Sequence, residues 1–213
     1  MENSVYLYGL VVKQPVPSDE FYGSDYCDLQ LSVRRLSSIV DTIPITIHKD
    51  LVAKYQIALG STVALLGEFR SYNKIENGRS RLMLSVFVTA VTEEIDETNP
   101  NIIELSGYIC KMPVYRTTPF NREIADLLIA SNRANNKSDY LPAIAWGRNA
   151  RFAKNLAVGE QISISGRIQS REYQKRLDSG ITETRTAYEI SINQIACENA
   201  NGQNGETNFI VNN

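Results

Sequence analysis

An internal duplication limits what this chain can fold into. At an offset of 98 residues, NSVYLYGLVVKQPV from Asn3 lies over NIIELSGYICKMPV from Asn101. Asn3, Gly9, Lys13, Pro15 and Val16 then coincide with Asn101, Gly107, Lys111, Pro113 and Val114. The match continues through Asp28 and Asp126, Leu29 and Leu127, Arg35 and Arg133, Asp41 and Asp139, and Pro44 and Pro142. After one inserted residue, Gly60, Gly67 and Ser71 meet Gly159, Gly166 and Ser170. A unit of about 95 residues used twice predicts two small domains, since a solenoid needs three or more repeats.

Each copy shows the same succession of elements. A first strand alternates through Val5, Leu7 and Val11, or Ile103, Leu105 and Ile109, with a glycine between that predicts a bulge. A proline loop and a second strand follow, near Tyr26–Arg34 and Ile124–Arg133. The third strand, IPITIH or LPAIAW, contains a proline that cannot donate to a ladder, which predicts an edge or irregular position. Short helical segments near Asp50–Gln56 and Asn149–Leu156 lead to Gly60 and Gly159 in places suited to C-caps. The fourth strand has an internal glycine, Gly67 or Gly166, and a hairpin at Asn77-Gly78 or Ser179-Gly180 leads to the fifth. Five strands with a helix between the third and fourth is the element order of the OB-fold, a Greek-key barrel with its ligand face centred on strands two and three. The expected class is all-β, two tandem five-stranded barrels, with other small barrels left open. The expected limits are 1–95, a linker at 96–100 within acidic Glu93–Asn101, 101–198, and an Asn- and Gly-rich tail, 199–213. The patch Phe209-Ile210-Val211 in that tail is either free or an added strand.

The second copy concentrates aromatic and basic residues between Ser138 and Arg176. Tyr140, Trp146 and Tyr173 fall at strand spacing among Arg and Lys. Residues 111–176 hold 12 basic and 5 acidic side chains, whereas residues 1–98 hold 9 basic and 13 acidic. Rings stack on unpaired bases and cations neutralise phosphates, so this pattern suits a single-stranded polyanion. Core packing accounts equally well for any one of the rings taken alone.

Other functions find little support. Cys27, Cys110 and Cys197 are odd in number and far apart, which predicts three reduced, partly buried thiols and neither a zinc site nor a disulfide framework. His48 is the sole histidine, with no activated nucleophile near it. Phosphate-binding glycine motifs are absent, so neither an enzyme nor a cofactor is expected. No apolar run nears the ~20 residues of a membrane span, and MENSVYLYG lacks the features of a signal peptide. The expected location is cytoplasmic, in association with the nucleoid.

The second copy resembles the bacterial single-stranded DNA-binding protein family, in its tandem-unit branch. NIIELSGYICKMPVYRTTPFNREIADLLIASNR is similar to that family's opening, and Tyr140–Tyr173 to its middle. The resemblance implies stacking positions at Tyr140, Trp146 and Tyr173 and an empty fourth at Asn135. It also implies that phosphate contacts fall among Arg116, Arg122, Arg133, Arg148, Arg171, Lys175 and Arg176. In the first copy, Thr42 and His48 replace Tyr140 and Trp146, and Tyr72 keeps the last position approximately. That copy is expected to bind more weakly or to serve assembly. The resemblance implies a sequence-tolerant binder of single-stranded DNA in replication, recombination or repair, working as a homodimer that gathers four OB-folds. Stacking alone does not separate DNA from RNA. Replication and repair proteins are possible partners, although the family's acidic tail ending in Pro-Phe has no counterpart here. A primosome-type assembly factor, acting through protein contacts, is the alternative reading.

Overall fold

The computed structural model describes residues 1–18, 25–35, 37–76, 78–134, 136–176, 180 and 182–197. Asn135, Asn77, Ser179 and the tail with Phe209–Val211 lie outside the described residues. In chain order the elements are β1 (Asn3–Pro17), β2 (Tyr26–Arg34), β3 (Val40–His48), α1 (Lys49–Lys54), β4 (Thr62–Glu76) and β5 (Arg79–Thr92). The second half continues with β6 (Asn101–Ile109), β7 (Val114–Thr117), β8 (Glu123–Asn132), β9 (Ser138–Trp146), α2 (Gly147–Ala153), β10 (Gln161–Arg176) and β11 (Thr182–Cys197). Among the described residues, no helix is long and apolar enough to cross a membrane.

The strands run in the order β2-β3-β5-β4-β1-β6-β10-β11-β9-β8-β7, and the pairs β1–β2 and β6–β8 close each half into a barrel. These are two OB-folds. Alternation places Val5, Leu7 and Val11 of β1, and Ile103, Leu105 and Ile109 of β6, inside. The third-strand proline is not at a sheet edge. β3 pairs with β2 along its whole length, and its parallel contact with β5 is only Ile45–Thr46. Pro44 immediately precedes that contact, so its missing N–H costs no bond in it; Pro142 precedes the matching contact at Ala143–Ile144.

At Gly9, Gly67, Gly107 and Gly166 alike, a Cβ would stand within 2.5 Å of a backbone carbonyl oxygen. Register shifts occur at Leu66/Gly67 and Ser165/Gly166, as expected for bulges. Gly9 and Gly107 do not bulge. A Cβ there would come within 2.4 Å of the Ser32 carbonyl oxygen and 2.5 Å of the Ala130 one, so a close strand crossing requires glycine. Gly60 and Gly159 are not helix caps either, because α1 and α2 end at Lys54 and Ala153. Their N–H groups donate to Val11 and Ile109 at 2.9 and 2.8 Å, which returns the chain to the first strand of each barrel.

Most of the polar residues that recur in both halves meet at a junction between them. β1 and β6 pair antiparallel from Asn3↔Leu105 to Leu7↔Asn101, which joins both barrels into one sheet. Just past each bulge the fourth strand leaves its partner, and the side-chain amides of Asn3 and Asn101 bond both backbone groups of Phe69 and Ile168 at 2.7–2.9 Å. Asp41 and Asp139 are fully buried. Asp41 accepts from Arg35 of its own half and from the Ser170 N–H of the other, at 2.7 and 2.8 Å. Asp139 accepts from Arg133 and, at 2.6 Å, from the Ser71 N–H. The serine hydroxyls answer by accepting from Thr42 N and Tyr140 N at 3.0 and 2.8 Å. The connector is also bound down: Tyr6 Oη donates to the Glu94 carbonyl and accepts from Asp96 N.

Asp139→Ala would strand the Arg133 guanidinium and the buried Ser71 N–H together. Chemical denaturation is expected to show a loss of about 3–5 kcal/mol, against less than ~1 kcal/mol for Asp126→Ala at the exposed Arg116 pair.

Candidate nucleic-acid interface

Alternation along β9 decides which side chains face outward. Asp139, Leu141, Ala143 and Ala145 are buried, while Tyr140 and Trp146 are 47% and 37% exposed on the opposite face. At about 3.3 Å per residue these two rings stand roughly 20 Å apart along the strand. Tyr173 is 36% exposed on the β10–β11 arm, where Arg171–Arg176 are all exposed. Trp146 also precedes α2 as its N-cap residue, with no capping bond from its side chain. The next residue, Gly147, has φ 52°, a left-handed turn favouring glycine that carries the chain from the ring into the helix. None of the three rings belongs to the barrel core: Tyr140 and Trp146 are on the outer face of β9, and Tyr173 is on the β10–β11 arm.

The basic residues fall into different settings. Arg122 is exposed on the loop before β8 and, among the described residues, has no side-chain partner. Arg148, Lys175 and Arg176 are exposed. Arg171 lies 3.9 Å from Glu189, and Arg116 is paired with Asp126 at 2.9 Å, both partly solvated. Such exposed pairs hold their partners weakly, which leaves the cation able to exchange for a phosphate. Arg133 differs from the rest. It forks onto buried Asp139, which holds its pKa above the ordinary arginine value against the effect of burial, and it donates to the Ser71 carbonyl at 3.1 Å. Its charge is taken up by the junction, not displayed on the aromatic face.

The first half has the same frame with another surface. His48 caps α1, its Nδ1 accepting from Asp50 N at 3.2 Å. It meets Tyr26 edge-on with ring centres 5.2 Å apart, and Tyr26 in turn meets Phe87 at 4.9 Å. The Arg70 guanidinium covers Phe87 at 3.8 Å and is paired with Glu68. Tyr72 shares a cleft with Arg70, Phe87, Arg133 and Lys137. Sequence reasoning missed the Tyr26–Phe87–Arg70 group. Its signal was Phe87 between Val86 and Val88 in an alternating run, which turns the ring outward.

Two OB barrels on one sheet, one with an aromatic outer face, place the molecule among the tandem OB-fold proteins. Residues 100–197 match the model of the Single-strand binding protein family. A single-stranded DNA-binding protein of Clostridium tetani is 29% identical over 118 residues, covering 51% of this chain and 81% of that one. Single-stranded DNA-binding protein 3 of Streptococcus agalactiae is 30% identical over 96 residues, 42% of this chain and 70% of the relative. A Staphylococcus aureus relative, 31% identical over 83 residues, is spanned over half its length. The wild-type single-stranded DNA binding protein of Thermus aquaticus superposes with a TM-score of 0.74 over 96% of this chain and 97% of that one, at 15% identity, a likeness of fold. The chain belongs to the single-strand binding protein family.

Because Trp146 lies outside the core, Trp146→Ala is expected to cost less than about 1 kcal/mol in urea denaturation, where a core tryptophan costs ~3–5 kcal/mol.

Proposed function

We propose that the protein binds single-stranded DNA with little sequence preference, principally through its second half. Bases stack on Tyr140, Trp146 and Tyr173, while Arg122, Arg148, Arg171, Lys175, Arg176 and Arg116 neutralise phosphates. The observation that carries this reading is the aromatic outer face of β9, together with Tyr173 on a solvated basic arm. Membership of the single-strand binding protein family supports it, as do the relatives named for DNA binding. Arg133 is left out of the phosphate set because Asp139 holds it. The first half, net acidic and without a ring at Thr42, contributes less affinity and more assembly. Exposed strands in replication, recombination or repair are the expected substrates, in the cytoplasm at the nucleoid.

Affinity for oligo-dT measured against salt separates the two kinds of contact. Tyr140→Ala, Trp146→Ala and Tyr173→Ala should each cost roughly 1–3 kcal/mol of binding with an unchanged salt slope. Arg171→Ala and Lys175→Ala should each shallow the slope by about 0.7. Trp146 fluorescence should be quenched by poly-dT and left unaltered by duplex. Equal affinity for duplex, or rings whose loss leaves dT binding intact, would overturn the reading.

We also propose a homodimer, because two chains supply four barrels and twofold closure is the commonest oligomeric solution. Light scattering is expected to give twice the 23.9 kDa chain mass; a monomer at micromolar concentration would reject it.

A further inference from the structure

Beside each buried aspartate lies a crevice between the halves, and the two crevices are related by the duplication but differ in charge. One, about 400 Å³, is lined by Asn3, Glu68, Arg70, Asn132 and Arg133 among others. Its cations are answered: Glu68 pairs with Arg70 and Asp139 with Arg133. The other, about 340 Å³, has Arg167 where the first has Glu68, and Arg34 where the first has Asn132. Asp41 answers Arg35 there. Arg34 is exposed and, among the described residues, has no side-chain partner. Among the described residues, Arg167 reaches only the Gln169 side chain, at 3.2 Å, and its buried Nε–H has no acceptor. Burial first, then the neighbouring charge of Arg35, pushes the Arg167 guanidinium below its ordinary pKa, with Asp41 opposing.

A partly desolvated guanidinium with a buried, unanswered N–H is costly to keep, and an oxyanion relieves both the missing bond and the uncompensated charge. The planar fork of arginine matches phosphate oxygens, and Ser37, Asn99 and Asn193 add polar groups to the lining. We propose that this crevice binds a phosphate group, and that in the working protein the group belongs to the backbone of the bound single strand. Its position supports the strand as the source. Arg167 pairs in register with Ser191 of β11, and Ser191 with Ile144 of β9. Ile144, itself buried, lies two residues before Trp146 and shares its side of β9. Arg167 is therefore on the side of the sheet that carries the rings, and Arg34 extends the crevice onto the first half. This inference rests on the single-strand-binding reading.

The test uses the full chain and the variants Arg167→Gln and Arg34→Gln, with two measurements. The first is affinity for long oligo-dT against log salt. The second is the melting temperature in sodium phosphate against sodium chloride of equal ionic strength. A strand phosphate predicts a slope shallower by about 0.7 in each variant, while Tyr173→Ala keeps the parental slope. If phosphate raises the parental melting temperature, the variants lose the rise, and the dT slopes stay fixed, then the crevice takes a free anion and the strand assignment is overturned. If neither measurement moves, there is no oxyanion site. Should the parent fail to bind dT at all, the functional reading fails, and the melting comparison still decides the crevice. Arg34 is exposed, so its variant keeps the test valid if Arg167→Gln does not fold.

Discussion

Two carboxylates buried between the halves govern how this molecule is built. A carboxylate with no exposed surface needs a full set of partners. Asp41 and Asp139 each take an arginine fork from their own barrel and a backbone N–H from the other. Neither half can satisfy its aspartate in this way alone. The contact is therefore reciprocal. The β1–β6 ladder adds the backbone part of the same junction. A duplicated sequence reads as two beads on an acidic linker, but the molecule is one sheet closed at both ends.

That junction explains why so many of the matching positions in the two halves are polar. Asn3 and Asn101 stand in for a lost strand partner beyond each bulge. Arg35, Asp41 and Ser71, with Arg133, Asp139 and Ser170, complete the interlock. Once these are fixed, the outer faces are free to differ. At one helix entry the second half places Trp146, and the first half places His48, whose ring is used as a cap. At the start of the third strand, Tyr140 points outward, while the first half has Thr42 with its backbone bonded to Ser170. One fold thus presents an aromatic face on one side and, on the other, a smaller ring cluster shielded by Arg70.

By itself the sequence determined the duplication and the five-strand order with its helix. Each of these follows from local rules: repeat spacing, period-two alternation, and glycine where a strand must bulge or cross. Composition and spacing left the second-copy rings open between core and surface, and it is the folded β9 that turns Tyr140 and Trp146 away from the core. Tertiary structure alone decided which polar residues were occupied. Arg133 and Arg171 look equivalent as letters, but Arg133 lies 2.6 Å from a buried carboxylate six residues along the chain, and Arg171 is exposed with its carboxylate 3.9 Å away. Glu68 and Arg167 occupy the same repeat position with opposite charge, and the meaning of that difference depends on a crevice formed by the other half. Arg133 is spent because the fold buries Asp139 against the Ser71 N–H, 68 residues away, and local patterning holds no record of that contact.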